Sequence, residues 1–398
     1  MKDVLLVGCG AVGAIYSLIL KRSGLARVTV VARSNYEAVQ AHGLDIRSQK
    51  YGHLESWRPD RLFPNVQQAL DRPYSYVILT TKAIPELTRT PTVLAPLLSP
   101  PYIDTHPQPA YVIMQNGLGV EADLYKALKK LKSTEEPKII GTAVWIGTGM
   151  LSDNIVEHNN FDRVQMGVYR PDPTIVKNTP AESALLEDFA SILRAGGSDV
   201  TVVPEIQRIK YSKNFWNAVL GASAALSRFP LTAIFRPPQN EPGHASSSDP
   251  PAPAPGVPAS TPSPHDPHFD TSTVPSASPA LSAHTIPFLR DALAELYELG
   301  SALFPASDAG PGLEPDIVQR TLRNTANIHA RPDAMHRASM LVDVEKGRPM
   351  EVEVVLGEVV RAARQKGVAV PRVEALYALL LIVQNQLLRQ YKERKSVL

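Results

Sequence analysis

The sequence predicts an α/β domain built on a parallel sheet over residues 1–204, followed by an all-α domain over 205–398. Three observations carry this. Val4-Leu5-Leu6-Val7 runs through Gly8-Cys9-Gly10-Ala11-Val12-Gly13 into the apolar Ala14-Ile15-Tyr16-Ser17-Leu18-Ile19-Leu20, which reads as buried strand, glycine-rich turn and helix. Further apolar runs at 27–32, 76–81 and 111–114 alternate with helix-like segments, as βαβ units require. From Glu205 onward the apolar period becomes helical.

The glycine spacing, set between a strand and a helix, is that of a Rossmann-type dinucleotide-binding unit. Gly8 would make the tight turn, Gly10 would let backbone approach a pyrophosphate, and Gly13 would let the helix pack closely on the strand. The helix N-terminus then faces the anion, so Gly8, Cys9, Gly10, Ala11, Val12 and Gly13 are the candidate phosphate-binding residues. After the second strand an NAD site usually carries an acid for the ribose 2′-hydroxyl, whereas this chain has Arg33. A guanidinium offers planar donors to a 2′-phosphate, so NADP(H) is favoured over NAD. An ordinary glycine turn and a solvated arginine are the plainer alternatives.

The 398 residues, 44% hydrophobic, suffice for two domains. Its 41 basic and 39 acidic residues give a formal charge of +2, which leaves no broad electrostatic footprint for nucleic acid or an anionic membrane. Cys9 is the only cysteine, so the chain has no internal disulfide and a reducing compartment fits. The apolar run near the N-terminus is broken by three glycines and does not read as a signal peptide, so cytoplasmic residence is expected. The apolar stretch 375–383 is too short to span a bilayer.

After Arg33 a helix-like segment leads to His42, and 44–48 and the polar residues beyond it carry no clear pattern. The strands at 76–81 and 111–114 end in Lys82 and in Gln115-Asn116-Gly117-Leu118-Gly119. Parallel α/β sheets bind ligands at the carboxyl ends of their strands, so Lys82 and Asn116 should meet the glycine loop. Strand-like pieces at 139–147, 154–158 and 162–169 suggest an antiparallel extension of the sheet, and His158 within them reads as structural. A helix at 181–195 and a strand at 200–203 close the first domain. A long helix is expected over 206–228, placing Lys213, Asn217 and Gly221 on one face. Residues 237–285 hold 13 prolines and no Lys or Arg, and read as a disordered insertion. Helices should follow at 285–304, 314–329, 351–366 and 372–392, with Ser339 and Glu351 near helix starts, where each could be an ordinary cap or first-turn acid.

Together these pieces resemble the ketopantoate reductase family, the NADP-dependent 2-dehydropantoate 2-reductases. The resemblance rests on the glycine turn at 8–13, Lys82, Gln115-Asn116-Gly117, Lys213 with Asn217, and Ser339-Met340-Leu341 with Glu351 twelve residues later. It implies a helical second domain like the C-terminal domain of 6-phosphogluconate dehydrogenase, and a 2-oxo acid as small-molecule substrate. It further implies that Lys213 is the catalytic lysine, that Asn116, Asn217 and Ser339 bind substrate, and that Asn116, Lys82, Gly147 and Glu351 touch the cofactor, with Glu351 beside its nicotinamide end. The reaction implied is 2-dehydropantoate to pantoate, in pantothenate biosynthesis, and the resemblance is compatible with a homodimer.

The residue types suit that chemistry. When a hydride reaches a ketone carbon, charge develops on the oxygen, which an ammonium at Lys213 can stabilise and protonate. Asn217 can donate to the same substrate, Glu351 can hold Lys213 or a substrate hydroxyl, and Ser339 can donate to the carboxylate. One departure bears on substrate: Gly221 stands where the family usually carries a second asparagine. Extra residues also precede Pro230-Leu231-Thr232-Ala233. Three readings follow: a 2-dehydropantoate reductase, a related reductase or dehydrogenase of another oxo acid, and a non-enzymatic NADPH-binding regulator. Lys213, Asn217, Ser339 and Glu351 together weigh against the last, since a sensor needs only the nucleotide half.

Overall fold

Ten strands form one mixed sheet: β1 (Lys2–Val7), β2 (Ala26–Val31), β3 (Leu44–Ser48), β4 (Gly52–Trp57), β5 (Arg61–Phe63), β6 (Tyr76–Leu79), β7 (Ala110–Ile113), β8 (Ile139–Met150), β9 (Ile155–Val168) and β10 (Asp199–Val202). Their order is β4-β3-β9-β8-β7-β6-β1-β2-β5, with β10 beside β9. The computed structural model describes residues 1–241, 269–306 and 310–396. The chain divides into two units, Met1–Lys210 and Tyr211–Leu398, so the division falls six residues beyond the boundary expected at 204.

In the first unit β1 is flanked on both sides by parallel strands, β2 and β6, and β7 continues the parallel run. Val4, Leu5 and Leu6 are fully buried, as continuous apolar strands covered on both faces must be. The helices Ala11–Arg22 and Pro180–Ala195 cover one face, sharing a core of Ile15, Ile19, Phe189 and Leu193. Each such side chain stabilises the fold by about 1.5–3 kcal/mol through burial. Thr179 starts the second helix with a capping box, accepting from Glu182 N while Glu182 returns a bond to its own N–H.

The expected antiparallel extension is present, but as two long strands. β8 and β9 pair through 12 and 14 residues, with an irregularity between Ile146 and Thr148. Asn159-Asn160-Phe161 reads as a turn by composition, and although β9 is continuous through it, the pairing with β3 ends at His158 and that with β8 resumes at Asp162, so these three residues form the irregularity opposite Gly147. His158 lies inside this strand, buried, with Nδ1 2.8 Å from Ser48 Oγ and Nε2 3.1 Å from the Phe161 carbonyl. Nearby Asp162 is 1% exposed and accepts from Lys50 Nζ at 2.5 Å, from the Tyr51 hydroxyl at 2.6 Å and from Ser198. That network ties the β3–β4 turn to β9 and supports a structural role for His158. A second buried ion pair joins Lys210 to Glu121, anchoring the first turn of helix Gln207–Phe215 in this unit.

The second unit is all-helical in its described residues. The helix expected over 206–228 is continuous but not uniform: Gln207–Phe215 and Ala222–Ser227 are α-helical, and Trp216–Gly221 between them is a π turn. It ends at Arg228, whose φ of 64° is left-handed, and the extra residues there leave Phe229 61% exposed. Helices Ile286–Leu303, Ile317–His329, Ser339–Glu345, Glu358–Lys366 and Pro371–Ser396 follow, and a second π turn, Glu353–Gly357, leads into Glu358–Lys366. Glu295 is 6% exposed and caps the last helix, accepting from the backbone N–H groups of Arg372 and Val373.

The expectation of disorder across 237–285 is wrong at both ends of that segment. Pro238–Asn240 form a short 3-10 turn, and Asn240 Nδ2 donates to the Ala330 carbonyl at 2.9 Å. Phe269 and Val274 are 6% and 4% exposed, Ala277 N–H donates to the Ile234 carbonyl, and a π turn at Leu281–Thr285 precedes Ile286. Composition misleads because two apolar anchors suffice to dock a proline-rich strand of chain. Residues 242–268 lie outside the described residues.

Burial holds the His158 imidazole below its usual pKa, so the folded chain binds it neutral while the unfolded chain protonates it near pH 6.5. The unfolded state therefore takes up more protons on acidification, and the His158 contribution is present above about pH 6.5 and lost below it. Urea unfolding at pH 7.5 and 5.5 should show a steeper acid loss in wild type than in His158→Gln. Equal losses would remove this group from the pH dependence.

Candidate active site

The strand registers fix where the first unit gathers its polar ends. Val7 of β1 pairs with Val31 of β2 and with Leu79 of β6, and Leu79 pairs with Ile113 of β7. The glycine turn, Arg33, Lys82 and Asn116 therefore leave the sheet from the same carboxyl edge. β1 lies between strands reached by opposite crossovers, the switch point at which such sheets bind ligands.

The turn itself is built by close approaches. Gly8 has φ +113°, and a Cβ there would meet Thr81 N at 2.8 Å. A Cβ on Gly13 would overlap the Gly8 carbonyl oxygen, which also accepts from Thr80 Oγ1 at 2.6 Å. Gly10 differs from both: its Cβ position has nothing within 4 Å. It precedes helix Ala11–Arg22, whose first turn has no side-chain cap and no acidic residue. An open cradle before an uncapped helix N-terminus suits a pyrophosphate. Burial pushes the Cys9 thiol up to about 12, so Cys9 contributes backbone rather than thiolate.

Two neighbouring side chains hold this region, Asn35, which the sequence did not single out, and Gln115. Asn35 is 8% exposed and its Nδ2 donates to the Cys9 carbonyl at 2.8 Å and to the Asp153 carbonyl at 3.0 Å, tying the loop to the tip of the β8–β9 hairpin. Gln115 Nε2 donates to the Thr81 carbonyl at 2.9 Å. Arg33 and Lys82 are exposed, Asn116 is half-buried, and Arg33 makes no hydrogen bond or ion pair among the described residues. Gly147 sits at the irregularity of β8, where the Asn159 side chain takes up its Cβ position, so this glycine has a local steric reason.

In the second unit Lys213 and Asn217 are half-buried on successive turns of one helix. An α-helix drifts by about 40° between i and i+4. Lys213 and Asn217, four residues apart, share one side of this helix, whose π turn begins at Trp216 and runs to Gly221. Gly221 is closed over by Met340, whose methyl lies 3.3 Å from where a Cβ would stand, with the Trp216 ring at 3.8 Å. That contact brings helix Ser339–Glu345 against this face. Ser339 is its exposed first residue, with Ala338 rather than Ser339 at the cap position. Glu351 is 6% exposed, just beyond Met350, whose N–H and carbonyl both bond the Gln384 amide at 2.8 and 2.9 Å.

Comparison with known proteins decides the family. Residues 4–171 match the family "Ketopantoate reductase PanE/ApbA", and residues 279–384 match "Ketopantoate reductase PanE/ApbA C terminal". The chain belongs to the ketopantoate reductase family. Similar proteins include the uncharacterized protein YDL144C of Saccharomyces cerevisiae, 25% identical over 100% of this chain and 97% of that one. Among solved structures, 2-dehydropantoate 2-reductase from Methylococcus capsulatus is 24% identical with a TM-score of 0.68, covering 97% of both chains. D-mandelate dehydrogenase, in a ternary structure with NADH and anilino(oxo)acetate, is 16% identical with a TM-score of 0.66, covering 97% of this chain and 99% of that one. As a family member the chain is an NADP-dependent oxidoreductase acting on CH–OH groups. The open position at Gly10 and the uncapped helix fit that cofactor. Among the described residues no helix is long and apolar enough to cross a membrane.

With Arg33 available at the β2 end, this reductase should bind NADPH at least about tenfold more tightly than NADH, a difference of about 1.4 kcal/mol. Arg33→Ala should erase the preference. Fluorescence titration of both cofactors checks this, and equal wild-type affinities would contradict it.

Proposed function

We propose that the protein reduces a 2-oxo acid to a 2-hydroxy acid with NADPH, the leading reaction being 2-dehydropantoate to pantoate, with Lys213 as general acid. The observation that supports this is the packing of Met340, from the helix opened by Ser339, on Gly221 of the helix that carries Lys213 and Asn217, with Glu351 in a buried, clamped segment. When bound, NADPH supplies the hydride for the ketone carbon. The Lys213 ammonium meets the charge that develops on the ketone oxygen and gives it a proton, so the carbonyl gains two hydrogens and becomes an alcohol. Asn217 donates to the substrate oxygen, and Ser339, whose hydroxyl opens a helix, donates to the carboxylate. The buried Glu351 carboxylate orients the lysine or a substrate hydroxyl. Asn116, Lys82 and Gly147 complete the cofactor contacts in this reading.

Gly221 favours a second reading, reduction of a different oxo acid. Where an asparagine would add a donor, the chain offers a methionine methyl and an indole ring. A dehydrogenase of similar fold holding anilino(oxo)acetate supports that breadth of substrate.

A panel of 2-oxo acids assayed for NADPH oxidation tests the reaction, and Lys213→Ala tests the mechanism. The variant should lose a factor of about 100–10,000 in turnover while NADPH affinity stays within about twofold, because general acid catalysis contributes on that scale. A variant turning over within threefold of wild type would remove Lys213 from the mechanism.

A further inference from the structure

Next to Lys213 on the same helix lies a side chain that no step above uses. Asn214 is 3% exposed, its Nδ2 donates to the Val355 carbonyl at 2.8 Å, and its Oδ1 has no hydrogen-bond partner among the described residues. A polar amide so placed is costly, because a buried unpaired acceptor has given up its hydration without return. An apolar residue would avoid that loss, so the single bond it makes requires an explanation.

The explanation lies in what the bond joins. Val355 sits in the π turn Glu353–Gly357, and Asn214 stands two residues before the π turn Trp216–Gly221. A π turn displaces the regular i to i+4 ladder and leaves backbone carbonyls in need of an outside donor. Asn214 provides one. Glu351 lies between two fixed points: Gln384 bonds both backbone groups of Met350 before it, and Val355, whose N–H returns to the Glu351 carbonyl at 3.1 Å, is held by Asn214 after it. We infer that Asn214 is a positioning residue, which fixes the Glu351 segment relative to Lys213 on its own helix. This rests on the roles proposed above for Lys213 and Glu351.

The test is a double-mutant cycle in steady-state kinetics with the best 2-oxo acid of the panel. Asn214→Leu is close in shape and removes the unpaired oxygen with the donor. Because the change exchanges one unpaired acceptor, Asn214 Oδ1, for another, the Val355 carbonyl, we expect its thermal midpoint to stay within a few degrees of wild type, kcat to fall at least about tenfold, and KM for the oxo acid and NADPH affinity to stay within twofold. The same substitution in a Glu351→Gln background should change kcat by less than threefold, because residues acting through one another are not additive. An unchanged kcat, a loss confined to KM, or an equal loss in the Glu351→Gln background would overturn the inference. If Asn214→Leu does not fold, Asn214→Ser is read by the same criteria. A wild type inactive with every oxo acid would instead overturn the reductase reading on which this one stands.

Discussion

The helix that starts at Ala11 approaches its own preceding turn so closely that position 13 has no room for a side chain, since a Cβ there would overlap the Gly8 carbonyl oxygen. That approach sets the helix axis on the sheet and aims its uncapped N–H groups across the end of β1. Gly8 turns with a positive φ beneath Thr80 and Thr81, so the β6 end is fixed to the same point. With β1, β2, β6 and β7 in register, Arg33, Lys82 and Asn116 then leave the sheet at one edge. The cofactor half of the site follows from one steric contact and one strand register.

The second unit meets a different constraint, satisfying polar groups inside a helical core. Around the helix that carries Lys213 and Asn217, buried backbone groups are satisfied by side chains from neighbouring elements. Gln384 and Asn214 do so around Met350 and Val355, and Glu295 does so at the start of the last helix. These are polar contacts inside a helical core, where each is strong if made and costly if lost. They give the segment around Glu351 a single position.

Much of this was legible in residue order. Gly8 and Gly13 announce the turn because only glycine fits where backbone meets backbone, and the contrast between crowded Gly13 and open Gly10 separates packing from ligand space. The helical period begins at Glu205, and the chain divides into two units six residues after the expected boundary at 204. What was not legible depends on partners distant in sequence. Asn35 reads as a helix-start residue, yet its amide joins Cys9 to Asp153; Asn214 reads as one more polar residue on a helix, yet it bonds a carbonyl 141 residues away. The π turns have no sequence signature, and Asn159-Asn160 resembles a turn inside what is a strand. Proline content hid the docking of Phe269 and Val274, because composition averages over the few residues that pack.

The open position at Gly10 tests the cofactor site most directly. Gly10 has φ −77° and ψ −172°, a conformation that alanine adopts freely, and its Cβ would meet no protein atom within 4 Å. Gly10→Ala should therefore fold with a thermal midpoint within about 2 °C of wild type, a shift of at most about 1 kcal/mol. Its added methyl would stand in the space proposed for the pyrophosphate, so NADPH affinity should fall at least about tenfold. A Gly10→Ala protein that is equally stable and binds NADPH as tightly as wild type would contradict the placement of the cofactor at this turn.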